Sequence, residues 1–147
     1  MSGLEGLYQE LLLDHSKRPR GKELAPEEGR TATSHQHNPI CGDDVTLRVR
    51  VTDDGGTIRD VTWDGSGCSI SQASASMLTE IVEGMPRAEA SALIDGFRTA
   101  LRSRGEIVLD EDVYLDAAAL SGVSKYVARV KCAMLAWVAL EDALARA

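Results

Sequence analysis

No apolar run in the 147 residues approaches the length of about 18 needed to cross a bilayer, so no membrane partner is expected. Basic residues are in short supply: 16 Lys and Arg stand against 23 Asp and Glu, a net charge of −7. Phosphate backbones need a basic footprint, so no nucleic-acid partner is expected. The first residues, MSGLEGLYQELL, lack a basic n-region and an A-x-A site, so no signal peptide is expected and the cytoplasm is the expected compartment. Cysteine is scarce. Three cysteines cannot all pair within one chain, and without an export signal thiols or metal ligands are expected rather than disulfides. There is no Cys-x-x-Cys pair, the usual anchor of a zinc site. There is no G-x-S-x-G elbow to support Ser-His-Asp chemistry. There is also no Walker A or G-x-G-x-x-G loop, so no nucleotide site is indicated. No repeat and no second block of composition is present. With 44% hydrophobic and 27% charged residues the chain is globular, and residues 1–147 are expected to form one domain.

What is there begins with Ser2–Gly3–Leu4–Glu5, a capping box that opens a helix. Leu4, Leu7, Tyr8, Leu11 and Leu12 form its apolar stripe, and the helix is predicted to fade at Asp14–His15 before Pro19. Residues 16–37 are polar and read as an extended loop. Val45, Leu47, Val49 and Val51 alternate with polar residues, a half-buried strand. Asp53–Asp54–Gly55–Gly56 is a hairpin turn into a second strand over 57–64, with Val61 and Trp63 inward. Gly65–Ser66–Gly67–Cys68 reads as a flexible approach or a short third strand. Ser69 and Gln72 read as a second capping box, followed by a stripe of Ala73, Met77, Ile81 and Val82. A further helix carries Leu93, Ile94, Phe97 and Leu101 on one face. Residues 106–116 read as an acidic, solvated connector. A last helix from about Ser124 turns Tyr126, Val130, Met134, Trp137 and Val138 to the core. The order α, β-meander, then helices favours α+β over α/β.

Cys41 and Asp43 are two apart, and in extended backbone they face one point in space. Cys68 stands just ahead of a helix start, where free N–H groups and the dipole favour a thiolate. Cys132 shares a helical face with Lys125 and Arg129, two cations that favour the same form. Three soft thiolates and one carboxylate suffice for a tetrahedral Zn²⁺ site. The same residues have a plainer reading, with Cys132 as core and Asp43–Asp44 as a solvated turn. His35 and His37 are competing ligands or simply solvated, and His15 is expected to meet the helix dipole.

The motifs then fall into a known order. Asp14–His15 with Pro19–Arg20, Asn38–Pro39–Ile40–Cys41–Gly42–Asp43, Gly65–Ser66–Gly67–Cys68–Ser69–Ile70–Ser71 and Lys131–Cys132 run over nearly the whole chain. The sequence resembles the IscU/NifU N-terminal family of iron–sulfur cluster assembly proteins, and within it the SufU branch. Lys131 occupies the place where housekeeping scaffolds carry a histidine. The 63 residues between Cys68 and Cys132 match the longer SufU-type spacing, and the L-P-P-V-K chaperone motif is missing. The resemblance implies an α+β fold with a three-stranded antiparallel sheet against about five helices. It implies one Zn²⁺ bound by Cys41, Asp43, Cys68 and Cys132. It also implies a zinc-dependent sulfurtransferase, in which Cys41 accepts persulfide sulfur from a SufS-type pyridoxal-phosphate cysteine desulfurase and passes it toward downstream SUF assembly proteins. Arg129, one helical turn from Cys132, is expected to compensate the site's negative charge. A cluster scaffold and a structural zinc module that binds the desulfurase are the alternatives.

Overall fold

The computed structural model describes residues 3–39 and 42–147, with side chains from Tyr8 onward. Helix α1 (Gly3–Lys17) leads to strands β1 (Arg30–Asn38), β2 (Asp43–Val51) and β3 (Ile58–Ser66). Helices α2 (Ser69–Val82), α3 (Arg87–Leu101) and α4 (Glu111–Tyr114) follow. A 3-10 run (Leu115–Lys125) then precedes α5 (Val127–Arg146). The fold is α+β.

The three strands form one antiparallel sheet in the order β1-β2-β3. Strict alternation in β2 turns Val45, Leu47, Val49 and Val51 to one side, where α5 packs over β1 and β2 and α2 packs over β3. Thr46, Arg48 and Arg50 point the other way. There Arg48 donates to Thr33 Oγ1 at 3.0 Å and to the Ala25 carbonyl at 2.7 Å, while Arg50 grips Asp60 and Glu28. The β2–β3 hairpin turns at Gly55, whose φ of +75° costs a glycine little. Residues 21–25 run along the outer edge of β3, bridged through Lys22 and Trp63, and so cover an edge that would otherwise be open to pairing. Under the sheet, Phe97 and Trp137 stack at 3.8 Å and pin α3 to α5.

Several expectations need correction. The third strand is not at 65–68, which belongs partly to β3. It is β1, inside the segment expected to be loop. RTATSHQHN has no apolar face to betray it; it is a strand because β2 offers it a complete ladder from Arg30↔Val51 to Asn38↔Asp43. The second capping box does not form. Cys68 is the N-cap of α2, with no side-chain cap bond, and Gln72 instead accepts from Lys22 Nζ at 3.3 Å. The first capping box lies outside the described residues. The final helix begins at Val127, and Tyr126 is 65% exposed rather than in the core. The acidic connector is largely a clamp: Asp110 caps α4, Tyr8 donates to Glu111 at 2.5 Å, and Asp116 meets His15.

Candidate metal centre

Asp43 continues the inward alternation of β2 by one step beyond Val45, so strand parity places a carboxylate at the top of the core. Its side chain is fully buried. Cys68 arrives on the loop from β3 into α2, and Cys132 sits in the second turn of α5, also fully buried. One carboxylate oxygen of Asp43 and the sulfurs of Cys68 and Cys132 all lie within 4.8 Å of one another. The Cys68 backbone N–H donates to Asp43 Oδ1 at 2.9 Å, and Cys68 Sγ is 3.9 Å from Oδ2. Cys68 and Cys132 carry no disulfide. No Lys, Arg or His among the described residues forms an ion pair with Asp43. A buried carboxylate without a counter-cation is costly, and two thiols beside it complete a donor set suited to a soft divalent metal.

Two local features hold this geometry. A Cβ on Gly67 would lie 2.4 Å from Asp43 Oδ1 and 2.6 Å from Ser71 Oγ, so only glycine lets the loop close onto the carboxylate. Ser74, in the second turn of α2, donates to the Ala133 carbonyl at 2.6 Å and accepts from Trp137 Nε1 at 2.9 Å. That pair of bonds fixes the spacing between the helices that carry Cys68 and Cys132. The small residues Ala73, Ser74, Ala75 and Ser76 allow the close approach, and they were the visible sequence signal for it.

The remaining expected residues are placed as follows. Cys41 lies outside the described residues. Arg129 is exposed in the first turn of α5 and has no ion pair among the described residues. His35 and His37 do not join Asp43; they project on the opposite face of β1–β2, where His35 Nε2 lies 2.8 Å and His37 Nδ1 3.5 Å from the carboxylate of Asp44. His15 lies in the last turn of α1, as expected, but its ring has partners beyond the helix end. It is fully buried, with Nδ1 2.7 Å from Ser76 Oγ and Nε2 2.9 Å from Asp116 Oδ2. His15, Asp116 and Glu80 also converge, but Arg20 Nε stands 3.0 Å from Glu80 and already supplies the cation there.

The fold and the clustered thiols and carboxylate define a small α+β domain built around a candidate metal centre. The chain belongs to the family of NifU-like N-terminal domains, whose model matches residues 7–145. It is 36% identical over 146 residues to the zinc-dependent sulfurtransferase SufU of Bacillus subtilis, covering 99% of this chain and 94% of that protein. It is 38% identical over 146 residues to the iron–sulfur cluster assembly scaffold protein IscU of Streptococcus pyogenes, covering 99% and 87%. Among solved structures, a candidate iron–sulfur cluster assembly scaffold protein for the SUF system from Fervidobacterium islandicum superimposes with a TM-score of 0.78. It shares 33% identity, with 97% of this chain and 99% of that chain covered.

Proposed function

We propose that this chain is a zinc-dependent sulfur acceptor and transferase in iron–sulfur cluster assembly. The observation that carries the proposal is the fully buried Asp43 carboxylate, placed within 4.8 Å of two thiols and lacking a counter-cation among the described residues. Asp43, Cys68 and Cys132, with Cys41 as the fourth ligand, would hold the ion. Bound Zn²⁺ would keep its sulfur ligands as thiolates and tie strand, loop and helix together. Lys131 supports zinc over a cluster, since an ammonium donates hydrogen bonds and is not a ligand at neutral pH.

Cys41 is the acceptor in this reading. Its thiolate attacks the terminal sulfur of a cysteine persulfide on a pyridoxal-phosphate desulfurase of the SufS type. The new S–S bond forms as the partner's S–S bond breaks, the partner's cysteine leaves as thiolate, and the proton on the transferred sulfur moves with it. No external oxidant or reductant is required. The sulfur then passes to downstream SUF assembly proteins. Residues 1–147 act as one domain, and a reducing cytoplasm keeps the thiols available.

A second reading, a scaffold on which a cluster is built, is supported by the identity to the Streptococcus protein. Protein purified without added metal separates them: about one zinc and no colour for the transferase, iron, sulfide and a brown colour for the scaffold. The acceptor is tested by alkylating the protein after reaction with desulfurase and cysteine, then locating the extra sulfur by mass spectrometry. Cys41→Ser is expected to retain much of its zinc and accept no sulfur, while Cys68→Ser loses both. Normal sulfur acceptance by Cys41→Ser would assign the step to another cysteine.

A further inference from the structure

Helix α5 is apolar on two sides. One side, with Cys132, Ala136, Trp137 and Leu140, is buried in the core. The other presents Val127, Val130, Met134, Leu135 and Val138 at i, i+3, i+7, i+8 and i+11. With Leu101 of α3, these residues floor a groove of about 520 Å³. The rim carries Arg98, Arg102, Arg104 and Lys131, and among the described residues no carboxylate lines it. This is a concentration of positive charge in a chain where 23 acids outnumber 16 bases. Arg98 is held by Asp95 and Glu141. Arg102, Arg104 and Lys131 have no ion pair among the described residues, so three cations face the groove uncompensated.

The groove adjoins the candidate metal centre at two points. Lys131 immediately precedes Cys132, and Asn38 of the lining is the register partner of Asp43. At its end, Tyr126 and Val127 are 65% and 69% exposed.

We propose that this groove seats an acidic segment of the sulfur-donating protein, with an apolar side chain against the α5 floor and carboxylates against Arg102, Arg104 and Lys131. The proposal rests on the sulfur-acceptor reading. In that reading the donor sulfur is covalently attached to a protein, so the donor must dock close to the metal centre, and this groove adjoins that centre. Charge complementarity selects the segment: carboxylates are attracted, while a long polyanion such as nucleic acid is repelled by the net charge of −7. A second copy of this chain is the competing occupant.

The test uses the zinc-loaded full chain and the cysteine desulfurase of the same organism. Calorimetric affinity is measured at low and high salt for wild type, R102E/R104E, K131E, V127D and R59E, the last being an exposed control on β3. Zinc content and light-scattering mass are recorded for each. The groove variants are expected to bind roughly tenfold or more weakly, with zinc content and mass unchanged. Wild-type affinity should fall with salt, and R59E should match wild type. Wild-type affinity in the zinc-replete groove variants would overturn the docking site alone, provided wild type binds and accepts sulfur. A wild-type dimer abolished by the groove substitutions would assign the groove to a second copy. Failure of wild type to bind the desulfurase or accept sulfur would overturn the acceptor reading and this occupant together.

Discussion

A carboxylate buried without a counter-cation destabilises a metal-free chain and favours a metal-bound one, and among the described residues Asp43 is in that position. Asp43→Asn keeps an acceptor for the Cys68 N–H but removes the charge. The variant is therefore expected to melt higher than wild type when both are metal-free, and to bind zinc more weakly; paired thermal scans with and without zinc measure both effects. A lower metal-free melting temperature in the variant would mean that Asp43 has a cationic partner. On α1, Tyr8 donates to Glu111. That bond, then partial burial, then the Glu111 charge, push its pKa up from 10.0 to about 12. A raised pKa means the fold holds the protonated phenol, so the contribution to stability is complete below pH 10 and is lost as pH rises toward 12. Tyrosine absorbance titration should lose an ionisation near pH 12 in Tyr8→Phe while the phenol of Tyr114, which burial also raises, stays, and the variant should lose less stability across that window.

At the scale of elements, the candidate centre depends on how α2 meets α5. Ser74 bridges them through the Ala133 carbonyl and the Trp137 indole, both buried. Ser74→Ala leaves two buried groups without that partner, at roughly 1–3 kcal/mol each. It also frees the helices that carry Cys68 and Cys132 to shift. The expected outcome is a lower melting temperature together with faster zinc loss to a chelator; a destabilised variant that holds zinc as wild type does would show that the bridge serves packing alone. Helix α1 is tied differently. Asp14 pairs with Arg20, His15 reaches Ser76 and Asp116, and the Arg20 guanidinium also binds Glu80. The Arg20 hydrogen bond holds the Asp14 carboxyl below its usual range. The Asp14–His15 and Pro19–Arg20 motif therefore anchors α1 to α2 and the 3-10 run, and in this structure its role is architectural.

For the whole molecule, the candidate ligands come from β2, the β3–α2 loop and α5, so a bound ion links sheet and helices across the chain. Chelation is expected to lower the melting temperature by about ten degrees or more, because metal-binding free energy is folding free energy when the unfolded chain has no site. Equal melting of zinc-loaded and chelated protein would remove the metal from the fold. Much of this architecture was legible beforehand where a period was strong: the alternation of β2 and the hairpin at Gly55, and the stripe Leu93, Ile94, Phe97, Leu101 in α3. Asp43, Cys68 and Cys132, which the fold brings together, were singled out through their motifs, while Cys41 lies outside the described residues. β1 was not legible, because a polar strand has no periodic signature and exists only through the ladder that β2 offers. The start of α2 was read within one residue, but its cap was placed at Ser69 rather than Cys68, whose backbone N–H goes to a carboxylate 25 residues away. His15 was read against its helix dipole alone and the acidic stretch as solvated, because their partners lie about 100 residues apart in sequence. The sequence by itself determined residue chemistry and local period. Which polar groups are buried together, and therefore where a charge lacks a partner, was decided only by tertiary structure, because burial is a property of contacts between distant segments.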